Sequence, residues 1–122
     1  MKFAEDDLNQ GYFITAYDDA SIQVNGKNFD SAMVISQETL VADWAPVSIE
    51  SLLPEHIETI ASLKPELVLL GTGAKLVFPE VRIYASLIQQ GIGVEVMDTG
   101  AACRTYNILS SEGRRVVAGL II

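Results

Sequence analysis

Apolar positions along the 122-residue chain change their period near Pro46. Before it, short β-branched or aromatic runs alternate with turn residues: Tyr12 to Tyr17, Ser21-Ile22-Gln23-Val24, Lys27-Asn28-Phe29, Ala32-Met33-Val34-Ile35 and Thr39 to Trp44. Such runs predict strands. Asn25-Gly26, between the second and third, predicts a tight hairpin because both residues tolerate positive φ. After Pro46, helical stripes alternate with continuous apolar runs. Leu53, Ile57, Ile60 and Ala61 fall on one face behind Pro54 and predict a helix. Val81, Tyr84, Ala85 and Leu87 or Ile88 predict a second helix facing inward, opened by Pro79 and stopped at Gly91. Ala102, Tyr106 and Leu109 predict a third, capped by Asp98 or Thr99 and ended at Gly113.

Between these helices, residues 66–70, 94–97 and 115–121 are apolar enough for central strands buried on both faces. Leu67, Leu69, Val94, Val96, Val117 and Ile121 are expected among the most buried side chains. Strands joined by helical connections of this length predict an α/β fold with a largely parallel sheet and right-handed crossovers.

Composition narrows the class. One chain of this length with 49% hydrophobic residues predicts a single domain over 1–122, with residues 1–10 expected to be poorly ordered. No apolar stretch approaches the roughly 20 residues that cross a bilayer, so membrane insertion is not expected. The acidic start Glu5-Asp6-Asp7 lacks the apolar core of a signal peptide, which points to the cytoplasm. One Cys excludes an intramolecular disulfide, and no Cys/His cluster suggests a metal. The net charge of −8 repels phosphate backbones and argues against nucleic-acid binding. Its distribution is uneven. Residues 1–66 carry twelve acids against Lys2, Lys27 and Lys64, whereas every Arg lies in the second half. That asymmetry leaves room for a local anion site.

Gly71-Thr72-Gly73 and Lys75 stand where a loop leaves a buried strand, a position suited to backbone contact with an anion. Leu76 replaces the third glycine of a dinucleotide loop, and Ala74-Lys75-Leu76 lacks the Gly-Lys-Ser/Thr of a phosphate loop. Glycines that permit a tight turn beside a neighbouring strand are therefore the favoured reading of the run. Asp98-Thr99-Gly100 has the letters of an aspartic-protease triplet but no second copy, so Asp98 reads as a helix cap. Arg104, Asn107 and Ser111 share one helix face, and Arg82, Ser86 and Gln89 another. If their helices flank one strand, Arg82 and Arg104 converge near Asp98 or Glu95. Glu95, inside an apolar strand, is expected to be buried and paired with an Arg, and Arg104 is expected to pair with a carboxylate, Glu95 or Asp98. Cys103 lies beside an apolar stripe far from His56, the only histidine, and reads as a small buried hydrophobe.

The segments Pro65 to Gly73, Phe78-Pro79, Gly91 to Asn107 and Glu112 to Val116 resemble domain-of-unknown-function family 498. This family includes a mitochondrial complex I assembly factor and an adipogenesis-associated protein. The resemblance covers residues 20–122. It implies a three-layer α/β fold with a central mixed sheet and a β-hairpin appendage, and it supplies no catalytic residue, substrate or cofactor. Its mitochondrial members act by protein contact during respiratory-complex assembly. Their targeting extension has no counterpart here, which points to a bacterial, cytoplasmic relative. Two function classes follow. The favoured one is a non-catalytic protein-binding module, with respiratory-complex assembly as its setting. The alternative is a small-molecule or anion binder, or an enzyme, built on Gly71, Thr72, Gly73, Lys75, Arg82, Glu95, Asp98, Thr99, Arg104 and Asn107.

Overall fold

The computed structural model of the chain describes residues 11–122; the expectation for residues 1–10 lies outside them. Strands β1 (Ile14–Tyr17), β2 (Ile22–Val24) and β3 (Lys27–Phe29) form a three-stranded antiparallel sheet in chain order. Its hairpin turns through Asn25 (φ +49°) and Gly26 (φ +86°), the left-handed pair that a two-residue turn requires. Next come β4 (Met33–Ile35) and β5 (Leu40–Val41), then a 3-10 turn over Ile49–Ser51. The chain continues as α1 (Pro54–Ala61), β6 (Leu67–Thr72), α2 (Val81–Gln89), β7 (Gly93–Met97), α3 (Thr99–Ser111) and β8 (Val116–Ile121). The second sheet is mixed, in the order β5-β4-β8-β6-β7. Its β8, β6 and β7 are parallel, while β4 runs antiparallel to β8 and β5.

Residue alternation along β8 assigns the two faces of this sheet. Val117 and Ile121 join Trp44, Ile57, Ile60, Ile83 and Leu87 in one buried cluster, so α1 and α2 cover that face. Val116, Ala118 and Leu120 join Ala102, Cys103 and Tyr106 from α3, with Ile14, Ile22 and Val24 from the small sheet, on the other. The helices α2 and α3 lie on opposite faces because the chain reverses direction across the sheet. It moves from β6 outward to β7, then back past β6 to β8, and right-handed crossovers in opposite directions demand opposite faces. Gly119 is one of the close contacts that this packing needs. A Cβ there would stand 2.8 Å from both the Ile60 side chain and the Trp44 ring.

Several expectations need correction. The runs expected over 66–70, 94–97 and 115–121 fall in the adjacent strands β6, β7 and β8, with Glu66 and Arg115 just before theirs, and Leu69, Val117 and Ile121 are buried. Val94 and Val96 are only half-buried, because β7 is the edge of the sheet and has a neighbour on one side alone. Leu67, at the start of β6, is likewise half-buried. The second helix starts at Val81 with Glu80 as its N-cap, and Pro79 lies before it. It turns Ile83 and Leu87 inward and leaves Val81 and Ile88 exposed. Tyr84 (φ −116°, ψ +18°) departs from helical geometry, so counting turns through it from Val81 misplaces the inward face. The strand expected over Thr39 to Trp44 shortens to Leu40–Val41, and Trp44 turns into the core with its indole N–H donating to the His56 carbonyl at 3.2 Å.

Candidate functional site

Adjacent strands β6 and β7 send the chain to opposite faces of the sheet, and open α/β sheets hold ligands in the crevice beyond such strand ends. Gly71 and Thr72 complete β6 rather than opening a loop, which begins at Gly73. A side chain at Gly71 would stand 2.9 Å from the Thr99 hydroxyl and 3.0 Å from Leu120, so glycine here serves close packing. The buried Thr99 hydroxyl donates to the Ile121 carbonyl at 2.5 Å and accepts from the Gly73 N–H at 2.8 Å. Its own N–H donates to the Gly73 carbonyl at 2.9 Å. One threonine thus latches the ends of β6 and β8 to the start of α3. The Thr72 hydroxyl donates to the Lys75 carbonyl at 2.6 Å and accepts from the Val77 N–H at 3.2 Å, which folds the following loop back on itself. Lys75 is exposed beside it.

The remaining candidates divide by face. Asp98 caps α3, its carboxylate accepting from the Ala101 N–H at 2.9 Å. Among the described residues Arg104 forms no ion pair with a carboxylate, although the Asp98 charge lies near enough to act on it. Its guanidinium donates to the Tyr17 hydroxyl on β1 and lies 5.9 Å from the centre of that ring. The Asn107 amide grips β1 as well, accepting from the Ile14 N–H at 3.0 Å and donating to the Ile14 carbonyl at 2.7 Å. Arg82, on the opposite face of the sheet, pairs with Glu80 at 3.4 Å in full contact with solvent. It does not converge with Arg104. Glu95 is exposed, since the edge position of β7 leaves its side chain outside the core. Cys103 is buried, and burial pushes its thiol up to about 12, so it is protonated at neutral pH.

Two depressions meet at this end of the sheet. One, of about 110 Å³, is lined by Tyr17, Asp18 and Asp19 from the small sheet and by Asp98, Thr99 and Gly100 from the start of α3. The other is a more open groove of about 400 Å³ between the 47–50 segment and the loop after β6. Both share Asp19, Gly73, Ala74, Ile121 and Ile122. Among the lining residues stand four carboxylates, Asp18, Asp19, Glu50 and Asp98, against the single ammonium of Lys75. The Asp18 carboxylate accepts from the backbone N–H groups of Ala20 and Ser21, which holds it below its ordinary range. Beside the groove the chain exposes large apolar side chains: Leu76, Val77, Phe78 and Val81 after β6, and Val47 across from them. Phe78 is 69% and Val47 83% accessible.

Sequence reasoning missed this surface. Three consecutive apolar residues, Leu76-Val77-Phe78, between a glycine turn and Pro79 were its available signal, since such a run in a loop has no core to enter. Asp19 and Glu50 gave no signal, because only the fold brings them beside the loop. Among the described residues, no group of three or more His, Cys, Asp and Glu side chains could hold a metal ion, and no helix is long and apolar enough to cross a membrane.

The sequence profile of the proteins of unknown function DUF498/DUF598 matches residues 14–121. The chain belongs to this family. Among DUF498/DUF598 relatives, a Francisella tularensis protein named 13 kDa major membrane protein is 26% identical over 117 residues, covering 95% of both chains. The Rattus norvegicus NADH dehydrogenase (ubiquinone) 1 alpha subcomplex assembly factor 3 is 30% identical over 123 residues. That match takes in 99% of this chain and 66% of the assembly factor's length. A crystal structure of a Bordetella parapertussis protein superposes with a TM-score of 0.85 at 40% identity, over 90% of this chain and 94% of that one. The DUF498/DUF598 fold therefore includes the mixed sheet, its three helices and the small N-terminal sheet seen here.

Proposed function

We propose that this chain is a non-catalytic protein-docking module that serves the assembly of a respiratory complex, as the name of its assembly-factor relatives suggests. The observation that carries the proposal is the uncovered apolar surface at the end of the sheet, formed by Leu76, Val77, Phe78 and Val81. Large apolar side chains gathered in one exposed loop and the helix turn that follows mark an interaction surface. The polar groups around it support the same reading. The hydroxyls of Thr72 and Thr99 and the Asn107 amide are spent on backbone atoms, which leaves them to hold elements together rather than to act on a substrate. Four carboxylates among the lining residues also make the crevice unfavourable to an anion. The proposal places the chain in the cytoplasm, at the surface of subunits that assemble in a membrane.

Complementation of a deletion strain tests this reading, with the assembled respiratory complex read on native gels. Wild-type protein is expected to restore the complex. Phe78→Asp, whose side chain lies outside the core, is expected to fold with an unchanged melting curve and to fail. A deletion strain with normal complex levels, or full rescue by Phe78→Asp, would count against the proposal.

A further inference from the structure

We infer that the groove between the 47–50 segment and the loop after β6 receives a segment of a partner protein in which an apolar anchor is flanked by Lys or Arg side chains. The inference rests on the docking reading above and names the chemistry of the partner. Three observations carry it. The groove has apolar walls from Val47, Ile49, Val77 and Ile121, while Gly73 and Ala74 leave room between them. A partner that enters it therefore contributes an apolar side chain.

The rim then selects by charge. Among the described residues, Asp19 and Glu50 make no ion pair and no hydrogen bond, so each offers a full negative charge at the edge of an apolar groove. Asp18 and Asp98, which line the neighbouring depression, add the same sign. Lys75 is the only cation among the lining residues; Arg104, which stays charged while it donates to Tyr17, stands close enough to Asp98 to offset part of that carboxylate's charge, so the selection rests chiefly on Asp19 and Glu50. Docking an uncharged segment would desolvate these carboxylates without replacing their water, whereas a basic segment offsets that cost and is drawn in at longer range.

The same charges disfavour the other occupants. A second copy of the chain docked by this face about a two-fold axis would bring its own Asp19 and Glu50 against these. The chain's own residues 1–10 carry Glu5, Asp6 and Asp7 against Lys2, again the sign of the rim.

Titration of 15N-labelled protein with short synthetic peptides tests the inference. One peptide alternates Leu with Lys, a second replaces each Lys by Glu, and a third replaces each Leu by Ser. The Leu/Lys peptide is expected to shift the amides of Ile49, Gly73, Ala74 and Val77, and to bind more weakly as salt is raised. The other two are expected to leave those amides in place. Asp19→Lys with Glu50→Lys should weaken the Leu/Lys peptide by about tenfold and reverse its salt dependence, because rim charges act on the on-rate and on the response to salt. Glu58→Lys with Glu112→Lys changes the net charge equally, away from the groove, and should leave the affinity unaltered. Equal binding of the Leu/Glu peptide would overturn the charge selection. Equal weakening by the two double variants, or shifts spread over the whole surface, would reduce the effect to general attraction and overturn it too. If no peptide enters the groove while Phe78→Asp still fails to support complex assembly, this inference falls and the docking reading stands.

Discussion

Thr99 and Cys103 lie one helical turn apart on α3 and show how single buried groups set the behaviour of this site. The Thr99 hydroxyl bonds the ends of two strands at once, and its methyl group adds little that valine could not replace. Thr99→Val leaves the Ile121 carbonyl and the Gly73 N–H unpaired and should cost about 2–4 kcal/mol in urea unfolding. Thr99→Ser keeps the hydroxyl and should lose much less. If both variants lose the same, the latch is not what the hydroxyl provides. Cys103 makes a pH prediction. Burial raises its thiol from 9.0 to about 12, with the Arg104 charge opposing the rise and the Asp98 charge adding to it. The fold therefore keeps the proton where the unfolded chain gives it up. The contribution of Cys103 to stability is complete below pH 9 and is lost as pH climbs from 9 through 12. Tyr106 is buried and shifted upward from 10.0 as well, so it adds a loss of the same sign that begins near pH 10 and is common to the wild type and Cys103→Ala. Urea unfolding across this range should show Cys103→Ala losing less stability between pH 9 and 11 than the wild type, and parallel curves would contradict the assignment. Native protein at neutral pH should also label slowly with a thiol reagent.

At the scale of elements, the small sheet is held to α3 by a bidentate amide. Asn107 takes both backbone groups of Ile14, and the Tyr106 hydroxyl donates to the Tyr12 carbonyl at 2.7 Å just outside the strand. Asn107→Ala should cost about 1–3 kcal/mol, since the half-buried backbone of Ile14 loses its partners. Amide exchange should then accelerate in β1 and β2 before it changes in β6 or β8; uniform acceleration would mean that the two sheets open together. The hairpin at Asn25-Gly26, the helix starts at Pro54 and Asp98 and the three parallel strands were legible in the sequence, because each depends on local geometry or on an unbroken apolar run. The edge position of β7 was not. A run such as Val94-Glu95-Val96-Met97 reads the same in a central strand and in an edge strand half-covered by a helix, and the expected burial of Glu95 failed with it. The inward face of α2 was hidden by the irregular backbone at Tyr84. Arg104 was assigned a nearby carboxylate because its actual partner, Tyr17, lies 87 positions away. The groove was beyond sequence reasoning for the same reason, since residues near 19, 47–50, 72–77 and 121 meet only through the order of the strands.

For the whole molecule, the net charge of −8 and the uncovered apolar loop act together. A net charge of this size sets copies of the chain in mutual repulsion, and the uncovered apolar loop is the surface that the proposed docking would use. Most of the chain's apolar side chains are divided between two cores on either face of the mixed sheet. Among the described residues, Leu76, Val77, Phe78 and Val81 belong to neither core and stand exposed. The central claim is that this end of the sheet meets another protein. It is tested most directly by photo-crosslinking in living cells, with a photoreactive amino acid placed in turn at Phe78, at Val47 across the groove, and at Ile108, an apolar position on α3 that is also well exposed. The account predicts adducts from positions 78 and 47 that contain the same partner protein, and none of that protein from position 108. Silence at 78 and 47, or the same adducts from all three positions, would contradict it.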